Sequence, residues 1–313
     1  MLDVLSLAAP IYLMIAAGFL LVKSNYLPNT TLPGLSQFVL KICVPVLIFL
    51  AVSKPGSLQA LNWTFTIGYG VAGLLTAAIV TAILRLFLGT KLDLAVILGL
   101  GASSANSIFL GLPIAAIVIG DLATTIFAWV MIAENLIVIP LLVALADSAQ
   151  ASSTGFLKSL RNVLMSFVKS PLMAALILGL GFSTLSTSMP APIDISLKMI
   201  RDAAPVMTLV LVGGFIATER MSGHGAAVTL VASGKLIFHP VLVALVLWML
   251  PGMDHDLILG GALFACVPMF TIFTIFASKH GGANVASGAL ILTTILGAVT
   301  VTIALLLASN WGL

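Results

Sequence analysis

Charged side chains are scarce in this chain: they make up 7% of its 313 residues, against about 25% in an average soluble domain. Hydrophobic residues make up 61%, more than a soluble fold of this length hides. The shortage of charge excludes a soluble globular domain and points to an all-α, polytopic membrane protein. Cysteine is scarce too. Cys43 and Cys266 each lie inside an apolar run, which excludes a disulfide framework. No Cys/His cluster has metal-ligand spacing, so no metal and no cofactor is expected. The net charge of +3 comes from basic residues set between apolar runs, without interleaved aromatics, so no nucleic-acid partner is expected. The motifs of intramembrane enzymes are absent: there is no HExxH, no Gly-x-Gly-Asp, and no Gly-x-Ser-Gly paired with a membrane histidine. The chain is not expected to be an enzyme.

What remains is apolar sequence in about ten segments, near 3–22, 33–53, 63–88, 94–119, 123–146, 170–187, 195–218, 226–250, 257–278 and 284–308. Each approaches the roughly 17–25 residues a helix needs to span a bilayer. The first has no basic residues before it and reads as a retained span with its N-terminus outside. The loops then expected inside carry Lys23, Arg85, Lys91, Lys158, Arg161, Lys169, Arg220 and Lys279, while the outer loops carry Lys54, Asp121, Asp254 and Asp256. This positive-inside bias places both termini outside and the connector between the fifth and sixth spans in the cytoplasm. The connector, 148–169, places Leu157, Leu160, Val163, Leu164 and Phe167 on one helical face beside Lys158, Arg161 and Lys169. That pattern predicts an amphipathic helix at the membrane surface; an unstructured connector is the alternative.

The two halves echo each other. "LSQFVLKICVPVLIFLAV" from Leu35 and "ISLKMIRDAAPVMTLVLV" from Ile195 align Ser36 with Ser196, Lys41 with Arg201 and Pro45-Val46 with Pro205-Val206. Pro10 and Gly18 match Pro171 and Gly179 in the first and sixth spans, and Pro113 and Pro268 mark the fourth and ninth. Five spans per half is an odd number, so the second copy runs upside down. The reading is an inverted 5+5 repeat, with repeats at 1–147 and 170–313, an architecture of secondary transporters.

The fourth segment, "ANSIFLGLPIAAIVIG" from Ala105, is poorly suited to a plain spanning rod. Ser103, Ser104 and Asn106 put polar groups at membrane depth, and Gly111 and Pro113 weaken the helix. Proline removes a backbone hydrogen bond, and the freed groups need partners in protein or in a water-filled cavity. The ninth segment supplies a counterpart in Pro268, Thr271 and Thr274. Two broken helices crossing near the midplane would form one substrate site, with a half-helix N-terminus suited to an anion. For Pro113 by itself, a simple kink is the alternative.

"ANSIFLGLP" resembles the fourth-span motif of the auxin efflux carrier family, an asparagine followed by a glycine and a proline at the spacing of Asn106, Gly111 and Pro113. "FASKHG", Phe276 to Gly281, is similar to the end of that family's ninth span. The resemblance covers essentially the whole chain and extends to bacterial members that include malonate permeases. It implies a scaffold domain and a transport domain, each built from both repeats, a crossover of the fourth and ninth spans, and a carboxylate bound beside it. It carries the family's asparagine onto Asn106 and its crossover proline onto Pro113, and it implies a homodimer in a bacterial cytoplasmic membrane. Plant members have a proline where this chain has Ala105.

Ionisable groups at membrane depth cost about 2.5–3.5 kcal/mol on insertion scales, so each asks for a reason. Lys41 and Arg201 stand at matching repeat positions; they either add positive potential to an anion pathway or pair and snorkel locally, Arg201 with Asp202. Glu134 is either a proton or cation site or a fixed partner of a basic residue such as Lys235. His239 reads as an interhelical hydrogen-bonding group or a proton relay. The candidate substrate-binding residues are Ser103, Ser104, Asn106, Phe109, Gly111, Pro113, Pro268, Thr271, Thr274 and Asn135; Glu134, Lys41 and Arg201 are candidates for coupling or charge. The expected function is a secondary-active permease for a small organic anion, a malonate-like mono- or dicarboxylate, working by alternating access. A sodium- or proton-coupled symporter of related crossover fold, like the bile-acid symporters, is the alternative.

Overall fold

A computed structural model describes residues 2–54, 61–150, 155–185, 189–218, 225–270 and 272–310. In chain order the helices are α1 (Leu2–Lys23), α2 (Asn29–Val52), α3 (Trp63–Leu88), α4 (Leu92–Ser103), α5 (Ser107–Ile119), α6 (Leu122–Ser148), α7 (Phe156–Val168), α8 (Pro171–Ser183), α9 (Ala191–Thr218), α10 (Ala226–Met249), α11 (His255–Cys266), α12 (Phe273–Lys279) and α13 (Ala283–Asn310). Extended pairing among the described residues is confined to one bridge, between Ala105 and Met269.

Six helices are each long and apolar enough to cross a membrane: α2, α3, α6, α9, α10 and the apolar run Ala283–Leu306 of α13. The sequence predicts ten spans, and the difference has physical causes. The fourth segment is divided into α4 and α5 and the ninth into α11 and α12, so each half falls short of a full span. The first contributes the described apolar run Ala9–Lys23, and the sixth is the 13-residue α8. The connector holds a helix over Phe156–Val168, with Lys158 and Arg161 exposed and Leu160, Val163, Leu164 and Phe167 half-buried.

Proline is absorbed in a regular way. Four helices widen into a π-turn immediately before a residue-proline pair: Val39–Cys43 before Pro45, Ser107–Gly111 before Pro113, Ala133–Val138 before Pro140, and Gly234–Phe238 before Pro240. The proline ring cannot accept the close approach of the carbonyl four residues back, and a wider turn relieves the clash. Three of these turns carry the intramembrane ionisable residues Lys41, Glu134 and Lys235.

The chain divides into two compact units, each drawn from both sides of the connector. Unit 1 comprises Met1–Asn62, Ile108–Ala128 and Phe167–Glu219; unit 2 comprises Trp63–Ser107, Trp129–Ser166 and Arg220–Leu313. In unit 1, α1 and α9 touch backbone to backbone. A Cβ on Gly213 would lie 1.9 Å from the Ile15 carbonyl oxygen, and one on Gly18 would lie 2.1 Å from that of Val210. Small residues permit the close contact from which membrane helices gain packing energy. In unit 2, α4 also lies close to α3, where a Cβ on Gly99 would meet Ala77 O at 2.7 Å. Gly297 of α13 leaves room for the ring of Pro268, whose Cγ would lie 2.5 Å from an added Cβ. Unit 2 is also tied at one end by His280. Its buried ring has Nδ1 3.5 Å from Asp93 Oδ2 and Nε2 3.4 Å from Asp147 Oδ1, with Gln150 Nε2 2.8 Å from Nδ1.

Candidate functional site

The two interruptions of unit 2 meet. α4 stops at Ser103, and Ser104 takes an extended conformation (φ −117°, ψ 136°). α11 stops at Cys266, and Val267 is extended as well. Ala105 and Met269 form an antiparallel bridge, and the Asn106 N–H donates to Pro268 O at 2.8 Å.

A break in an apolar interior frees backbone groups that no water reaches, so each needs a partner from the chain. The Ala105 N–H donates to Glu134 Oε1 at 3.0 Å, from the π-turn of α6. The Asn106 N–H uses the Pro268 carbonyl. At the end of α11, Ala265 O accepts from Lys235 Nζ at 2.7 Å and Cys266 O accepts from Thr300 Oγ1 at 3.1 Å. Side chains from α6, α10 and α13, those of Glu134 and Lys235 buried and that of Thr300 half-buried, thus hold the break open. Glu134 and Lys235 are 3% and 0% exposed, a placement that asks for a functional reason in a chain so poor in charge.

The charges are arranged with matching polarity. Lys235, a cation, sits at the negative C-terminal end of α11, and Glu134, an anion, accepts the backbone N–H freed at the break after α4. Glu134 Oε2 also faces Ser107 Oγ at 3.5 Å, a long contact. Lys235 Nζ lies 2.8 Å from His239 Nδ1, one turn along its own helix, and the His239 ring stands edge-on to Tyr69, with centroids 5.8 Å apart. Since the ammonium can only donate, His239 Nδ1 is the acceptor and its proton is on Nε2. The buried Tyr69 hydroxyl, Ser104 Oγ and His239 Nε2 have no hydrogen-bond partner among the described residues.

The sequence candidates are distributed unevenly. Unit 2 brings together Ser103, Ser104, Asn106, Pro268 and Glu134, and also contains Asn135 and Thr274. Asn106 and Asn135 are half-buried, whereas Ser103 is buried with its hydroxyl bonded to Leu100 O at 3.2 Å. Asn135 Nδ2 donates to Met131 O of its own helix at 2.9 Å. Phe109, Gly111 and Pro113 lie on α5 within unit 1, which also holds Lys41 on α2 and Arg201 on α9. Lys41 donates to Gln37 Oε1 at 3.3 Å, and Arg201 pairs with Asp202 at 2.7 Å. Thr271 lies outside the described residues.

Two differences from the sequence reading stand out. The first is position: the fourth segment breaks at 104–106, not at Gly111 and Pro113, which lie inside α5. Proline widens the helix there, and it parts instead where Glu134 and Pro268 accept the freed amides. The second is Lys235, named only as a possible partner of Glu134. It holds Ala265 O and does not close an ion pair: no Glu134–Lys235 contact within 4.0 Å occurs among the described residues. Its signal was visible in "GKLIFHP", a lysine inside an otherwise apolar segment shortly before a proline.

The pattern of one protein family, described as membrane transport protein, matches residues 3–305. A curated protein of Rhizobium meliloti (strain 1021), named "Putative malonate transporter", is 23% identical over 307 residues, covering 96% of this chain and 95% of its own length. A family match over nearly the whole chain, on a helical fold with membrane-crossing segments, fixes what class of molecule this is. The chain belongs to the membrane transport protein family, the family of the auxin efflux carriers that its sequence resembles.

Proposed function

We propose that this chain is a secondary-active permease that moves a small organic anion, a malonate-like mono- or dicarboxylate, across a bacterial cytoplasmic membrane by alternating access. The observation that carries the reading is the pairing of two interrupted helices, with Asn106 N–H on Pro268 O, among side chains that hold the break open. Such breaks at membrane depth are where transporters of this general build bind substrate. Asn106, half-buried at the break, is the principal ligand for the carboxylate. Ser104, whose buried hydroxyl has no partner among the described residues, and Lys235 support it. Ser103, Asn135, Pro268 and Thr274 shape the surroundings.

The proposed setting is ten spans in an inverted 5+5 repeat, with both termini outside, the connector helix α7 on the cytoplasmic face, and a homodimer as the assembled form. The name of the Rhizobium relative makes malonate the first substrate to try. The test is uptake of labelled malonate by proteoliposomes holding the purified protein. Saturable uptake, stimulated by malonate on the opposite side and reduced at least tenfold by Asn106→Ala, is expected. Uptake unchanged in that variant would move the site elsewhere.

A further inference from the structure

We infer that the carrier couples a proton to its anion, with Glu134 as the group that takes the proton and Lys235 as the cation that attracts the anion. This rests on the anion site proposed above and names its coupling ion and residues.

Glu134 already occupies the place an incoming anion would seek. Its carboxylate receives the Ala105 N–H at 3.0 Å, a backbone donor that the break after α4 sets free. A second carboxylate arriving beside an ionised Glu134 would be repelled strongly, because the group is 3% exposed and the surroundings are apolar. Two carboxyl groups share such a site when one of them is neutral.

Charge balance gives the same result. With Glu134 ionised, its charge and that of the fully buried Lys235 offset each other. With Glu134 protonated, Lys235 is uncompensated and attracts an anion. The proton therefore raises affinity for the anion, and by linkage the anion raises affinity for the proton by the same factor. The remaining titratable neighbours do not supply a competing negative charge. His239 accepts from Lys235 through Nδ1, Tyr69 stands against His239, and Cys266 is bonded through its thiol to Leu263 O at 3.2 Å.

The local hydrogen bonds suit both states. An ionised Glu134 accepts from the Ala105 N–H and from the Ser107 hydroxyl. A protonated Glu134 keeps its carbonyl oxygen on the Ala105 N–H and turns its O–H toward Ser107 Oγ. A hydroxyl both donates and accepts, so Ser107 serves either state by rotating. In transport, an O–H bond forms on Glu134 with a proton from the aqueous side as the anion enters. The same bond breaks on the other side, and the proton leaves with the anion.

The direct test is calorimetry and proton counting with malonate as the probe, on purified full-length protein at alkaline pH where malonate itself is fully ionised. The wild type is expected to take up one proton per malonate bound, and its affinity to weaken roughly tenfold per pH unit on the alkaline side. Glu134→Gln is expected to bind malonate with pH-independent affinity and no proton uptake. Malonate binding by the wild type with no proton uptake, or with a sodium requirement in its place, overturns the coupling while leaving the anion site standing. Asn106→Ala binding as tightly as the wild type overturns the anion site instead, and absence of binding by the wild type overturns both. If Glu134→Gln does not fold, Glu134→Asp keeps the carboxyl and serves in its place: proton uptake retained with a shifted pH dependence is expected, and a pH dependence identical to the wild type's overturns the role of Glu134.

Discussion

Replacing Lys235 by methionine keeps the length of the side chain and removes its charge and three donors. The ammonium is fully buried, donates to Ala265 O at 2.7 Å, and rests against His239 Nδ1 at 2.8 Å. Its loss removes the cation that offsets Glu134; because the two are not in contact and Glu134 can take a proton, the cost is about 2–3 kcal/mol, below the roughly 3–5 kcal/mol of a contact pair broken from one side. The stranded Ala265 carbonyl adds about 1 kcal/mol or more. At roughly 2–4 °C per kcal/mol, Lys235→Met should lower the melting temperature by about 6–16 °C. The double variant Glu134→Gln/Lys235→Met removes the stranded charge and leaves only the lost hydrogen bonds. It should recover more than half of that loss, a coupling of about 2 kcal/mol between residues that work as one unit. The assay is thermal unfolding of detergent-purified protein, followed by fluorescence of its 4 tryptophans. A double variant no more stable than Lys235→Met would refute the electrostatic link between the two groups.

The remaining predictions concern packing in unit 1. Gly213→Ala would force a Cβ to within 1.9 Å of Ile15 O and 2.7 Å of Phe19 N, both backbone atoms that cannot turn aside. It should part α1 from α9 and abolish the monodisperse peak in size-exclusion chromatography. Gly181→Ala meets nothing within 4 Å and should be neutral or stabilising by up to about 1 kcal/mol, since alanine is the better helix former. A Gly213→Ala protein as stable as the Gly181→Ala protein would contradict the backbone contact of the two helices.

Much of the fold is legible in the sequence because the bilayer constrains it simply. Apolar runs of spanning length become helices, and the six that satisfy the length test on their own were all among the predicted segments. The interruption of the fourth and ninth segments is legible from Ser103, Ser104, Asn106 and Pro268, since polar and helix-weakening residues at membrane depth need compensation. The exact residue of the fourth break is not. Pro113 is the local signal, but a proline is absorbed by a π-turn at small cost, as Pro45, Pro140 and Pro240 also show. The parting at 104–106 depends on acceptors from Glu134 and Pro268, 29 and more residues away in sequence. Lys235 is not legible as a site residue for the same reason: its partner, Ala265 O, is a main-chain atom 30 residues away. Lys41 and Arg201 were legible as a matched pair of positions, and the local partners Gln37 and Asp202 that they find are near neighbours in sequence.

A density map of the purified protein with malonate bound tests the central claim most directly. The ligand should lie at the paired breaks, its carboxylate within hydrogen-bonding distance of Asn106 and on the Lys235 side of Ala105 and Pro268. Malonate found elsewhere, with the segment from Ser104 to Asn106 and the Pro268 turn bare in a saturated sample, would contradict it.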